Sequence, residues 1–146
     1  MKLHLTINGF DHECEFSVGD SLLKVLRSLG YHSIKFGDEH GFTGSDTILL
    51  DGVPVNAGLM LAAQAEGHEI VTLEALGERP NQGWKESRGL HPLQESFIET
   101  GAIQCGYCTP AQILAAKELL ERQPNPTEIE VRDALSVVLS RCTGYT

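Results

Sequence analysis

Three of the four cysteines in this chain lie in its last third, at spacings that could support metal or redox chemistry. Cys105 and Cys108 form a C-x-x-C pair, and Cys142 lies near the end of the sequence. The pair runs directly into Thr109, whose sequence context is a start signal for a helix. Unpaired backbone N–H groups and the positive end of the helix dipole would stabilise negatively charged sulfur there. The spacing therefore indicates a chemical site rather than a disulfide framework.

A C-x-x-C pair by itself allows three interpretations: two metal ligands, a redox-active dithiol, or two buried thiols without a role. The dithiol interpretation expects a βαβ pattern around the pair, whereas helical patterns flank it on both sides here. A histidine, His91, stands at the start of a predicted helix and could complete a Cys₃His zinc set with the three cysteines. The residues alone thus favour a metal centre and leave zinc open.

Helices are predicted to position this site. Apolar residues recur at helical spacing in three segments of the second half, 91–100, 111–122 and 128–139. Thr109 and Thr127 each fit the first position of a capping box. The second half is therefore predicted as a compact helical bundle, with cysteines before its second helix and after its third.

Strand patterns dominate the first half. Alternating residues on both sides of Asn8-Gly9 predict a β-hairpin, and a helix over 22–29 follows it. Further strands are predicted at 48–50 and 69–74. A hairpin, a helix and closing strands are typical of a β-grasp, ferredoxin-like domain, so the predicted fold class is α+β.

The sequence predicts two domains joined by a linker. Residues 77–90 combine glycine, proline, asparagine and charge without periodicity, which is typical of a linker. Residues 1–76 then form the β-grasp domain, and residues 91–146 form the helical domain.

Charge and hydropathy argue against several classes of function. The chain has 20 acidic and 11 basic residues and a formal net charge of −9, so a nucleic-acid partner is not expected. The N-terminus lacks the charged stretch, apolar core and cleavage site of a secretion signal, and no apolar run reaches membrane-spanning length. We expect a cytoplasmic protein without a membrane partner.

Taken in order, the motifs resemble one protein family along almost the whole chain. They are K-x-G at 35–37, D-G at 51–52, T-L-E-A-L at 72–76, H-P-L-Q at 91–94, Q-C-G-Y-C-T-P at 104–110, N-P-T-x-x-E at 125–130 and R-C-T-G-Y at 141–145. This order is similar to that of the iron–sulfur electron-transfer subunits or domains of molybdenum hydroxylases of the xanthine dehydrogenase family. The resemblance implies a plant-type ferredoxin domain with one [2Fe–2S] cluster and a helical domain with a second cluster, nearer to the molybdopterin.

The first of these clusters has lost its ligands in this sequence. Plant-type clusters are held by three cysteines in one loop and a remote fourth. The resemblance places Asp38, Thr43, Asp46 and Gly58 at those four positions. These residues offer no soft thiolate to iron and sulfide, so we predict no N-terminal cluster and a solvated loop instead of a hard-metal site. Cys14 lies in the predicted hairpin, away from this loop, and is expected to be a structural cysteine.

The second site keeps three of its four cysteines. The resemblance implies a terminal C-R-C-T-G-Y, so Cys105, Cys108 and Cys142 match while Ser140 replaces the fourth ligand. Because a serine oxygen is a harder donor than sulfur, the resemblance implies one [2Fe–2S] cluster that is bound more weakly and has an altered potential. Gln104 matches a glutamine that contacts the pterin of the large subunit, where an amide can donate and accept.

By resemblance, the chain is a non-catalytic electron relay. A molybdopterin centre on a partner chain or following domain would hydroxylate a purine-like, N-heteroaromatic or aldehyde substrate, and electrons would leave through the C-terminal cluster. A flavin subunit is the usual further partner in the family, although the missing first cluster interrupts that route. Two alternatives stay open: a cluster-free structural subunit of the same complex, and a zinc-binding or dithiol module.

Overall fold

The computed structural model describes residues 2–77 and 89–142. The strands are β1 (Lys2–Ile7), β2 (Phe10–Glu15), β3 (Thr47–Leu50), β4 (Val53–Asn56) and β5 (Glu69–Val71). The α-helices are α1 (Leu22–Ser28), α2 (Pro92–Glu99), α3 (Thr109–Arg122) and α4 (Glu128–Leu135), and short 3₁₀ helices cover Ala62–Ala65 and Leu73–Ala75.

The five strands form one mixed sheet in the order β2-β1-β5-β3-β4. β1 pairs antiparallel with β2 and parallel with β5, and β3 pairs antiparallel with both β4 and β5. The hairpin turn at Asn8-Gly9 has positive φ at both residues, as does the turn at Asp51-Gly52. Such turns match the twist of the strands that they join. This mixed sheet with its helices confirms the predicted α+β class.

One face of the sheet packs against α1. The hydroxyl of Ser21 caps α1 by accepting from the N–H of Lys24, and Gly30, just past the helix, has φ +97°. Apolar residues of α1 and of the strands then form a buried cluster, which includes Leu3, Leu5, Ile7, Leu22, Leu26, Ile48 and Ile70. The apolar residues of the strands and of α1 thus form a core within the first half of the chain.

The other face of the sheet is covered in part by α3. This helix contacts β3 and β4, and its buried residues include Ile113 and Leu114. Within β3, Ile48 belongs to the α1 core, while Leu49 is equally buried but lies outside that cluster. Because successive side chains of a strand point to opposite faces, Leu49 lies on the α3 side. The uniformly apolar strand predicted at 48–50 is buried on both faces.

Two predicted elements end earlier than expected. The strand predicted at 69–74 stops at Val71, because the Asn8 side chain accepts from the Thr72 N–H at 2.8 Å and the chain turns into a 3₁₀ helix. The helix predicted to reach residue 139 stops at Leu135. Its continuation is diverted because the Leu139 N–H donates to the Thr43 carbonyl at 2.8 Å. Tertiary hydrogen bonds overrode the local periodicity in both segments.

The predicted linker, 77–90, lies largely outside the described residues, so the domain boundaries stay a prediction. In residues 2–77 and 89–142, none of the helices combines the length and apolar character needed to cross a bilayer.

Candidate metal centre

The C-x-x-C loop leads directly into α3. Cys108, and not Thr109, is the N-cap residue, and no side chain caps this helix end. The predicted capping box at Thr109 is therefore wrong, because Thr109 is already helical and is buried against the rest of the fold. A thiol instead stands at the positive end of the helix dipole, where a negative charge on sulfur is favoured. The capping box predicted at Thr127 is confirmed.

The segment after α4 brings Cys142 back to this helix entrance. The backbone of Tyr107 and, after it, the Cys142 thiol form hydrogen bonds to Cys105 that lower its pKa below the ordinary value for cysteine. The Cys105 side chain is also the main cause that raises the pKa of Cys142, and Cys108 adds a smaller repulsion. Proton loss is thus easier at Cys105 than at Cys142. The structure brings the three predicted thiols into one neighbourhood.

The three thiols differ in accessibility. Cys105 and Cys142 are exposed and Cys108 is half-buried. The Cys108 thiol donates to Oε1 of Gln112, one helical turn along α3, at 3.8 Å. The sequence did not single out Gln112, although its position four residues after Cys108 places both on one helix face.

Ser140 lies on the same returning segment but is buried, with 5% of its surface exposed. Ser140 is close to Cys142 in the sequence. Its side chain is buried, however, whereas the thiols of Cys105 and Cys142 are exposed. The role of Ser140 as the fourth ligand stays a prediction.

The three thiols form a soft donor set, which is the kind that iron–sulfur clusters and zinc both use. Within the described parts of the chain, no three His, Cys, Asp or Glu side chains converge closely enough to hold one metal ion. Soft, exposed sulfur donors at a helix entrance suit iron and sulfide.

The histidine considered for zinc has another role. His91 is the N-cap of α2: its Nδ1 accepts from the Leu93 N–H at 3.2 Å, and its own N–H donates to Gln94 at 2.9 Å. This reciprocal cap satisfies the first donors of the helix and uses the imidazole as a structural acceptor.

Gln104, the residue predicted to contact the pterin, is exposed at the rim of a cavity. The cavity has a volume of about 820 Å³ and lies between the 100–104 segment and helices α2, α3 and α4. Its lining includes Phe97, Gln112 and Arg132. The side chain of Gln104 is open to a group that docks from outside, and its contact with the pterin stays a prediction.

The loop of the first half that lacks cysteines is closed by its own hydrogen bonds. Asp38 accepts three backbone N–H groups: Oδ1 those of His40 at 2.7 Å and Phe42 at 3.1 Å, and Oδ2 that of Thr43 at 2.7 Å. Asp46, which is buried, accepts the N–H of Gly58 at 2.6 Å. The four positions that the resemblance assigned to cluster ligands thus meet as two hydrogen-bonded pairs, Asp38 with Thr43 and Asp46 with Gly58.

Cys14 lies apart from the cysteine loop. It lies on β2, opposite Leu3 of β1, at the sheet edge farthest from the strands that α3 contacts. It is half-buried against the α1 core, and this burial raises the pKa of its thiol. These features favour the predicted structural role.

Comparison with known proteins assigns the family. Residues 72–146 match the [2Fe-2S] binding domain family, which covers the cysteine loop and all three helices around it. The chain belongs to this family. The match begins at the end of the sheet, so the family assignment is carried by the half of the chain that contains the three thiols.

Relatives of the family align over nearly the whole chain. The nicotine 6-hydroxylase small subunit of Paenarthrobacter nicotinovorans is 48% identical, over 99% of this chain and 83% of that protein. The probable hypoxanthine oxidase XdhD of Escherichia coli K12 is 39% identical, over 99% of this chain but 14% of that protein. Quinoline 2-oxidoreductase of Pseudomonas putida 86 superposes with a TM-score of 0.91 at 39% identity, covering 99% of this chain and 85% of that one. Relatives of this [2Fe-2S] family member therefore include both separate small subunits and parts of longer chains.

Proposed function

We propose that this chain is the iron–sulfur electron-transfer subunit or domain of a molybdenum hydroxylase. Small subunits and domains of such enzymes match it at 39–48% identity over nearly its full length. The observation that carries the proposal is the position of Cys105 and Cys108 at the entrance of α3, where the segment after α4 brings Cys142 near enough to Cys105 for each thiol to shift the pKa of the other.

In this proposal the chain holds one [2Fe–2S] cluster, which supplies one-electron transfer when bound. Cys105, Cys108 and Cys142 hold it through sulfur, with Ser140 at the fourth position. The N-terminal end of α3 stabilises the negative charge of this site through the helix dipole. The exposed face formed by Cys105, Cys142 and Gln104 is the side from which a partner can approach.

The proposed partner is the molybdopterin-binding subunit or domain of the same complex. Substrates in the purine-like, N-heteroaromatic or aldehyde class would react on that partner, and this chain would contact the pterin through Gln104. Relatives named for nicotine, hypoxanthine and quinoline support the N-heteroaromatic part of this class. A flavin subunit is a further proposed partner, and a cytoplasmic location remains the expectation from the sequence.

The proposal further states that the first half holds no cluster. Asp38, Thr43, Asp46 and Gly58 carry no sulfur, and the two carboxylates accept hydrogen bonds from Thr43 and Gly58 instead. We therefore expect one cluster per chain, because only the second half offers thiolate ligands.

The test is the iron and labile sulfide content of protein purified without oxygen, with absorption and EPR spectra of the reduced state. We expect one [2Fe–2S] cluster per chain, lost in Cys108→Ser and retained in the matched control Cys14→Ser. Colourless protein without iron would instead indicate a structural subunit of the same complex. Stoichiometric zinc, or a reversible disulfide between Cys105 and Cys108, would indicate the zinc or dithiol module.

A further inference from the structure

The polar loop at 36–44, in the first half of the chain, contacts both segments that carry the C-terminal thiols. The hydroxyl of Tyr107, which lies between Cys105 and Cys108, donates to the carbonyl of Phe36. The N–H of Leu139, one residue before Ser140, donates to the carbonyl of Thr43 at 2.8 Å. One loop therefore holds the cysteine loop at one point and the returning segment at another.

The contact with the returning segment is close. A Cβ atom at Gly44 would lie 1.9 Å from the carbonyl oxygen of Val137, so only a glycine allows the two backbones to approach as they do. Val138, the next residue, is completely buried. The path of residues 137–139 toward Cys142 is thus determined by the loop against which it packs.

Asp38 gives the loop its shape. Its two carboxylate oxygens accept three backbone N–H groups, and an ionised acceptor makes these bonds stronger than neutral ones. Thr43 takes part in both contacts, because its N–H donates to Asp38 and its carbonyl accepts from Leu139. Side-chain bonds support the same loop, since Asn56 Nδ2 donates to the Gly41 carbonyl at 3.0 Å.

We infer that Asp38 is a positioning residue for the C-terminal thiol site. Its carboxylate supplies the fixed negative acceptor around which the loop folds, and the loop then sets the separation between the Cys105–Cys108 segment and the Cys142 segment. The functional effect of Asp38 rests on the proposed function, because the separation of the thiols matters most when they share a cluster. The loop itself is not a binding site in this inference.

The first test uses hydrogen–deuterium exchange of the intact chain without iron, comparing wild type with Asp38→Ala. We expect amide exchange at residues 137–142 to rise by roughly tenfold, because the loop loses a charged acceptor. The matched control is Asp20→Ala, since Asp20 also accepts a backbone N–H, that of Ser17 at 2.9 Å, in a turn of the same half. Asp20→Ala should leave exchange at 137–142 unchanged.

Asp38→Asn provides a second variant if Asp38→Ala folds poorly. An asparagine keeps one acceptor oxygen but replaces the other with a donor, so the exchange rate at 137–142 should lie between those of wild type and alanine. An increase confined to residues 38–43, or an equal increase in Asp20→Ala, would overturn the inference.

The second test uses protein loaded with iron and sulfide. Asp38→Ala should release iron to a chelator faster than Asp20→Ala does, and should shift the EPR signal, which a purely global loss of stability would leave at the same position. An EPR signal identical to wild type, with an unchanged rate of iron release, would contradict the positioning role. If wild type binds no iron, the proposed function fails, while the exchange experiment still decides the role of Asp38.

Discussion

Ser140 is the residue at which the donor chemistry of the proposed site changes. An alcohol is far harder to deprotonate than a thiol and is a harder donor, so it binds iron less readily than cysteine does. A cysteine at this buried position would differ from serine only by sulfur in place of oxygen, which is a small change in side-chain volume.

Ser140→Cys should therefore raise the amount of cluster bound per chain without changing the fold. Iron and labile sulfide per chain, with the visible absorption spectrum, measure this effect. Ser136→Cys is the matched control, because Ser136 is an exposed serine of the same segment and should leave the iron content as it is in wild type. Equal iron in Ser140→Cys and wild type would place Ser140 outside the site.

Asp38 links the stability of the protein to pH. The hydroxyl and the backbone N–H of Thr43, followed by the N–H groups of Phe42 and His40, hold the pKa of this carboxyl well below its usual range. A pKa that is lower in the folded state means that ionised Asp38 stabilises the fold above the unfolded pKa of about 4. This contribution is lost as the pH falls through the lower, folded pKa.

Urea unfolding of wild type and Asp38→Ala at several pH values should show this dependence. We expect a difference in stability that is constant near neutral pH and shrinks below about pH 4, as Asp38 becomes protonated in the unfolded state. Asp46 acts in the opposite direction, because burial raises its pKa and its protonation relieves a desolvation cost. A difference between wild type and Asp38→Ala that grew as the pH fell would contradict the assignment to Asp38.

At the scale of elements, the loop at 36–44 and the segment after α4 are packed backbone to backbone. Gly44 has φ +64°, and its missing Cβ leaves room for the Val137 carbonyl. An alanine there would be strained in conformation and would also collide with a backbone atom that cannot move independently.

Gly44→Ala should lower the free energy of unfolding by more than about 1 kcal/mol and should also lower the iron content. Gly9→Ala is the matched control, because Gly9 has φ +80° but nothing within 4 Å of its Cβ position. Chemical unfolding and iron analysis of both variants separate conformational strain from the collision. Equal losses in the two variants would show that the contact with Val137 contributes nothing.

At the scale of the molecule, the two predicted domains share an interface. Leu49 is buried on the face of the sheet that α3 contacts, and the loop of the first half holds both cysteine segments. Shared packing couples the stabilities of the elements on its two sides.

Thermal unfolding of the protein should therefore occur in one transition, measured by calorimetry and by far-ultraviolet circular dichroism. Leu49→Ala should lower stability by about 2–5 kcal/mol, as is typical of a deleted leucine in a packed core, and should keep a single transition. Two separate transitions in wild type, or a destabilisation confined to the sheet in Leu49→Ala, would indicate that the halves fold independently.

The sequence by itself determined which local elements form, and it supplied the candidate donors. Alternation and the turn residues at Asn8-Gly9 predicted the first hairpin, and helical periodicity predicted α1 to α4, because such signals act over a few neighbouring residues. The C-x-x-C spacing and the third cysteine predicted the site, since soft sulfur at a helix entrance has a restricted set of uses.

The tertiary structure decided where the elements end and which loop contacts the two segments that carry the thiols. β5 and α4 stopped early because partners distant in the sequence compete for the same backbone groups. Thr109 lost its predicted capping role because the helix begins one residue earlier than expected, with Cys108 as its N-cap. The contacts from Thr43 to Leu139 and from Phe36 to Tyr107 join residues about 70 to 100 positions apart, and no local pattern encodes such pairs. They exist because the sheet and α3 pack on each other, which brings the loop and the cysteine segments into contact.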